Sequence, residues 1–158
     1  INYINGAVEW RHIGFIGDSP SKSELGLFSD ADFAGDRADM RSTSCVFLAL
    51  YGDHSFFPLF RQSKKQTVVS RNTVEAEIVA ADHAVRSSGL LALQLWERLL
   101  NRGLFIDVHQ DNKAAARIMT TGRAPTLRRI KRNHSVSVAW IHERVASDDI
   151  QLLSIIHI

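Results

Sequence analysis

Apolar and polar positions divide the chain into stretches of two different periods. Residues 24–30 place Leu25, Leu27 and Phe28 in a short apolar run that ends at Asp30, with Asp32 just beyond. That pattern predicts a buried strand leaving its sheet at a carboxylate. Residues 44–51 put Cys45, Phe47, Ala49 and Tyr51 on one face and Val46, Leu48 and Leu50 on the other. Apolar residues on both faces predict a central strand. Gly52-Asp53 predicts a hairpin turn. Residues 55–61 follow as a third strand, which Pro58 assigns to an edge, and Ser63-Lys64-Lys65-Gln66 as an exposed basic segment.

From Thr73 the period changes. Val74, Ile78, Ala81 and Val85 recur at helical spacing, and Leu91, Leu95 and Leu99 extend the stripe. A long helix over 73–101 is expected, capped by Thr73, kinked at Ser87-Ser88-Gly89 and stopped by Gly103. Residues 104–110 form a strand; reached through a long helix, it should lie parallel to one already in the sheet. Residues 111–120 predict a short helix packed through Ala115, Ile118 and Met119. A basic loop over 121–129 and a helix over 131–146, with Val138, Ile141 and Val145 inward, lead to a last strand at 150–158. The order βββαβααβ describes an α/β domain with a five-stranded mixed sheet flanked by helices.

The first 23 residues carry a weaker pattern. Ile1, Tyr3 and Ile4 read as a helix end stopped by Gly6. Val8, Trp10, His12 and Phe15 alternate as in a strand, before a turn cluster at 17–21. Residues 1–23 are therefore assigned to a linker or the tail of an upstream region, and 24–158 to one domain. The chain opens on Ile1 and closes on an apolar run, so it reads as a piece of a longer protein.

Composition narrows the class without choosing a function. The 158 residues are 45% apolar and 23% charged, with a formal charge of +2; this suits a folded soluble domain large enough for a core. A mild excess of basic residues does not by itself indicate nucleic acid. A single cysteine, Cys45, excludes an internal disulfide and a thiolate zinc cluster, and mid-strand it should be a buried small side chain. No apolar run approaches the roughly 20 residues of a membrane-spanning helix, and no secretory leader is evident. Trp96 and Trp140, at helical positions, are expected in the core.

Three carboxylates occupy positions that can converge. Asp30 ends one strand, Glu77 lies in the first turns of the long helix, and Asp111 follows another strand. Oxygen ligands held by separate elements suit Mg²⁺, and two such ions can activate water and stabilise a leaving oxygen at phosphorus. The same placements also describe ordinary surface charge. Asp32, beyond its strand, and Glu75, explained by the helix dipole, are weaker candidates. His109 and His134 could be proton shuttles or metal neighbours, or simply structural.

Taken together, Ser29-Asp30-Ala31-Asp32-Phe33-Ala34-Gly35-Asp36, Arg41-Ser42-Thr43-Ser44, Ser63-Lys64-Lys65-Gln66, Glu75-Ala76-Glu77 and Asp111-Asn112 resemble the ribonuclease H domain of copia-type LTR retrotransposon Pol polyproteins. The resemblance spans residues 24–158. It implies a ribonuclease H-like fold and cleavage of the RNA strand of RNA–DNA hybrids during reverse transcription. Asp30, Glu77 and Asp111 become its catalytic and metal-binding acids, with Mg²⁺, or Mn²⁺ as substitute. It also implies a reverse transcriptase region of the same polyprotein as partner, and an intracellular setting, cytoplasmic in a virus-like particle or nuclear. There are departures. Ser70-Arg71-Asn72-Thr73-Val74 replaces a serine-rich approach to the glutamate, and Asn133-His134-Ser135 stands where His-Ile-Asp is common. The family's fourth acid and its C-terminal helix follow the last strand, beyond Ile158, so the resemblance implies an incomplete two-ion site. A degenerate domain that binds nucleic acid or serves a structural role without cutting is the alternative.

Ser42, Thr43, Lys64, Lys65, Asn112, Arg128 and Arg129 are candidate nucleic-acid contacts, because hydroxyl, amide and cationic groups position a backbone without reading sequence. Lys64 and Lys65 could equally form a solvated loop. The basic run from Arg123 to Arg132 could track phosphates or guard against edge pairing.

Overall fold

The computed structural model describes residues 9, 13–36, 38–127 and 130–154. The expectations for Ile1–Gly6, for Val8, Trp10 and His12, and for the end of the last strand lie outside them. Among the described residues six strands form one sheet in the order β1-β4-β3-β2-β5-β6. These are β1 (Phe15–Ile16), β2 (Glu24–Asp32), β3 (Thr43–Gly52), β4 (Ser55–Lys65), β5 (Ile106–Gln110) and β6 (Ile150–Ser154). β2, β3 and β4 pair antiparallel, and β5 joins β2 in parallel, as does β6 to β5. The mixed sheet is the expected one with a sixth strand added. β1 pairs through Phe15 with Phe56 and through Ile16 with Ser55, within the stretch read as a linker. β4 runs four residues past its expected end, so Ser63-Lys64-Lys65 is paired to β3 and not a loop. The register shifts between Leu48 and Ala49, just where Pro58 falls, which places the proline at a bulge on a strand with little outer pairing.

The core lies on one face of the sheet. Leu25 and Leu27 of β2, Val46, Leu48 and Leu50 of β3, and Ile106 and Val108 of β5 point into it. They meet α1 (Thr73–Ala84), α3 (Lys113–Thr121) and α5 (Val138–Ala146) through Ile78, Ala81, Met119 and Ile141. The opposite face carries rings. Phe28 stacks on His109 at 4.1 Å and neighbours Phe47 at 6.0 Å, and Phe47 neighbours Phe56 at 6.1 Å. Tyr51 reaches across Gly26 to donate to buried Asp107. A Cβ at Gly26 would sit 2.9 Å from the Tyr51 ring, so glycine is what lets the ring cross.

The long helix is broken in register. A π-helical turn (Val85–Gly89) separates α1 from α2 (Leu90–Leu100), with Leu90 N–H donating to Val85. Each π turn adds a residue and turns the later side chains by about 100° relative to the earlier face. The expected continuation through Leu91, Leu95 and Leu99 is therefore wrong: these are exposed, and Leu93 is buried instead. Gly89 lets the turn pack close on the sheet, since a Cβ there would meet Leu27 at 3.0 Å and Ile106 at 3.3 Å.

Three other terminus assignments change. The N-cap of α1 is Asn72, whose side chain accepts from Glu75 N–H at 2.9 Å, and not Thr73. Asn101, with φ 49°, ends α2 before Gly103 is reached; asparagine tolerates that left-handed conformation. The helix expected over 131–146 is two helices, α4 (Ile130–His134) and α5, parted by Ser135 at φ 58° and restarted by the Ser137 cap. Trp96 and Trp140 are half-buried against the core, with the Arg86 guanidinium 3.6 Å over Trp140. Cys45 is exposed and not in the core, because it lies on the ring-bearing face.

Candidate metal centre

The sheet and α1 bring Asp30, Glu77 and Asp111 together. One ligand oxygen from each lies within 4.8 Å of the others. β2 presents Asp30 two residues before its end, next to parallel β5. β5 releases the chain at Asp111, one residue before Asn112 caps α3 by accepting from Ala114 and Ala115 N–H at 3.0 Å. The capped start of α1 lowers Glu77 onto the same point. Asp30 is braced by Ala31 N–H at 2.8 Å.

Asp30 and Asp111 face solvent, whereas Glu77 is 4% exposed. Burial, with the charges of Asp30 and Asp111 added, pushes the Glu77 carboxyl up to about 7. Ala31 N–H and the Gln110 side chain pull the other way. Glu77 Oε2 is buried with no hydrogen-bond partner. Three carboxylates carried by separate elements, Glu77 from the buried side, form a donor set that fits a hard divalent cation such as Mg²⁺ or Mn²⁺.

The neighbouring acids are used elsewhere. Glu75 is buried, accepts from Arg71 N–H at 2.9 Å and lies 3.4 Å from His134 Nε2. Burial lowers the His134 pKa, opposed by Glu75, and His134 Nε2 makes no hydrogen bond among the described residues, so the two side chains meet as a neutral imidazole beside a buried carboxyl. Asp32 turns back toward Gly35. His109 is half-buried on Phe28, its pKa lowered by burial. With Asp30, Asp111, Cys45 and Phe47 it lines a cavity of about 330 Å³ on the ring-bearing face.

The candidate contact residues divide in three. Lys64 is exposed, and Thr43 is half-buried at the start of β3. Ser42 is fully buried, with Oγ accepting from Ala34 N–H at 3.2 Å. Lys65 is held by Asp36 and Asp39, the latter at 2.8 Å, and Asn112 is occupied as a helix cap. Ser42, Lys65 and Asn112 therefore already serve the fold. Arg128 and Arg129 lie outside the described residues. Sequence reasoning missed Gln110, which is fully buried behind Asp111. A polar residue in phase with inward-facing Ile106 and Val108 was the only signal for it.

No protein-family model matches the chain, and no curated protein matches it in sequence. Solved structures match in fold. LC11-RNase H1, isolated from compost by a metagenomic approach, gives a TM-score of 0.51 at 16% identity, covering 84% of each chain. The same protein in complex with an RNA/DNA hybrid gives 0.54 at 14% identity, covering 84% of this chain and 85% of that one. The foamy virus (PFV) RNase H domain gives 0.51 at 15% identity, covering 86% and 79%. At such identities the likeness is one of fold: this is a ribonuclease H-like mixed sheet flanked by helices.

Proposed function

We propose that the chain is a metal-dependent endonuclease domain that cuts the RNA strand of RNA–DNA hybrids, within the Pol polyprotein of a copia-type LTR retrotransposon. The observation that carries this reading is the convergence of Asp30, Glu77 and Asp111 within 4.8 Å from three separate elements. The motif resemblance supports it, and so does a fold shared with RNase H structures, one of them holding an RNA/DNA hybrid.

Asp30, Glu77 and Asp111 would hold Mg²⁺, with Mn²⁺ as substitute. The ion supplies positive charge that draws a phosphodiester to the site and stabilises charge developing on its oxygens. Asp30, held by Ala31 N–H, and Asp111, just before α3, reach the site from neighbouring strands. Without a cation the Glu77 carboxyl keeps its proton up to about pH 7, and cation binding would release that proton. Thr43 and Lys64 would lie along the hybrid backbone, and Arg128 and Arg129 are further candidate contacts on sequence grounds. The partner would be a reverse transcriptase region of the same polyprotein, in a cytoplasmic virus-like particle or the nucleus. Among the described residues only three acids converge, which favours a non-cutting, hybrid-binding domain as the second reading.

Cleavage of an end-labelled RNA–DNA hybrid with Mg²⁺ or Mn²⁺, beside Asp30→Asn, tests the proposal. RNA-strand cutting that Asp30→Asn abolishes, with duplex DNA spared, is expected. A folded protein that binds the hybrid and does not cut it would establish the second reading instead.

A further inference from the structure

Gln110 closes β5 one residue before Asp111, and its side chain is fully buried. Its Oε1 accepts from Asn112 N–H at 2.9 Å. A backbone N–H needs an acceptor, so this bond decides which end of the amide is which. Nε2 must then face away from Asn112, into the protein. It has no hydrogen-bond partner there, and neither does Glu77 Oε2, which is buried as well. An unpaired buried donor and an unpaired buried acceptor are each unfavourable. Here the two share the layer between the sheet and α1: Gln110 follows Ile106 and Val108 on the core face of β5, and Glu77 lies beside the adjoining Asp111.

We infer that Gln110 is a positioning residue: its amide takes one oxygen of Glu77 and leaves the other directed at Asp30 and Asp111 for a cation. Asn112 completes the relay, capping α3 with its side chain and fixing Gln110 with its backbone. A chain of this kind, with an amide steering a carboxylate that would hold a metal, commonly sets metal affinity. The inference rests on the reading of the three acids as a metal site.

The test is Mn²⁺ binding, followed by electron paramagnetic resonance and by calorimetry, without substrate. Gln110→Met keeps length and volume and removes the donor. Gln110→Asn keeps the amide and withdraws its reach. Val108→Ala weakens the same strand without touching Glu77, and serves as the control for a merely structural role. Each variant is first checked for folding by circular dichroism in EDTA. Both Gln110 variants should bind Mn²⁺ about 10- to 100-fold more weakly, while Val108→Ala lowers the melting temperature and keeps its affinity within about twofold of the wild type. Wild-type affinity in either folded Gln110 variant overturns the inference alone. Equal loss of affinity in Val108→Ala also overturns it. A wild-type protein that binds no Mn²⁺ overturns the metal reading, and this inference with it.

Discussion

Of the three converging acids, Glu77 is the buried one. Its carboxyl is raised from 4.5 to about 7 by burial first and by Asp30 and Asp111 second. A raised acid binds its proton more tightly in the folded chain than in the unfolded one. Between pH 4.5 and about 7 the folded state therefore holds more protons, and its stability falls as pH rises through that window. His83, His109 and His134, lowered mainly by burial, act in the opposite sense: their contribution rises with pH up to their unfolded value of 6.5. The Glu77 contribution is thus read as a difference between proteins. In EDTA, Glu77→Gln should match the wild type near pH 4.5 and exceed it by on the order of 2 kcal/mol at pH 8. Urea unfolding at the two pH values measures this. A difference that does not change with pH would show that the cluster places no strain on Glu77. The site's carboxylates were legible in the sequence because each sits at a boundary between elements. Gln110 was not, because a polar residue at a strand end reads as solvent-facing even where it keeps the inward phase of Ile106 and Val108.

At the scale of elements, the informative failure is the second half of the long helix. Leu91, Leu95 and Leu99 resume a helical spacing six residues after Val85, and the expected long helix carried them onto the buried face of α1. The π turn at Val85–Gly89 rotates that stripe outward and brings Leu93 in. Ser87-Ser88-Gly89 signalled a local break, but not that the break inserts a residue. The same limit explains Ser135: a single left-handed residue divides a helix whose periodicity runs through it. The strands were more legible, since their burial alternates with a period that no insertion disturbs apart from the bulge at Pro58. The π-turn account makes a prediction that a regular helix reverses. Leu93→Ala should destabilise the protein by about 2–5 kcal/mol, as a buried leucine does, while Leu95→Ala should cost less than about 0.5 kcal/mol. Thermal or urea unfolding of the two variants decides it, and a larger cost at Leu95 would return the stripe to the core.

For the whole molecule the question is how a chain with a formal charge of only +2 could hold a polyanion at a site built from three carboxylates. Without a cation, Asp30, Glu77 and Asp111 repel phosphate, and the nearby Lys65 is neutralised by Asp36 and Asp39. Exposed Lys64, Arg123, Lys131 and Arg132 remain to attract it. A divalent ion at the cluster would convert the repulsion into attraction at the place where binding matters. Hybrid affinity should therefore be weak in EDTA and rise when a divalent cation is added. Ca²⁺ suits the measurement as a hard cation of different size from Mg²⁺. Asp30→Asn should lose most of that gain. The remaining attraction comes from a few surface cations, so log affinity should fall linearly with log salt. Lys64→Ala should lower that slope by about one, and Lys65→Ala by less, because Lys65 already serves Asp36 and Asp39. Fluorescence anisotropy of a labelled hybrid across a salt series, with and without Ca²⁺, separates the two contributions. An affinity indifferent to both salt and Ca²⁺ would mean that the hybrid, if it binds, is held through neither the phosphates nor the acid cluster. Equal slopes for the two lysine variants would mean that the Lys65 ion pairs open when nucleic acid arrives.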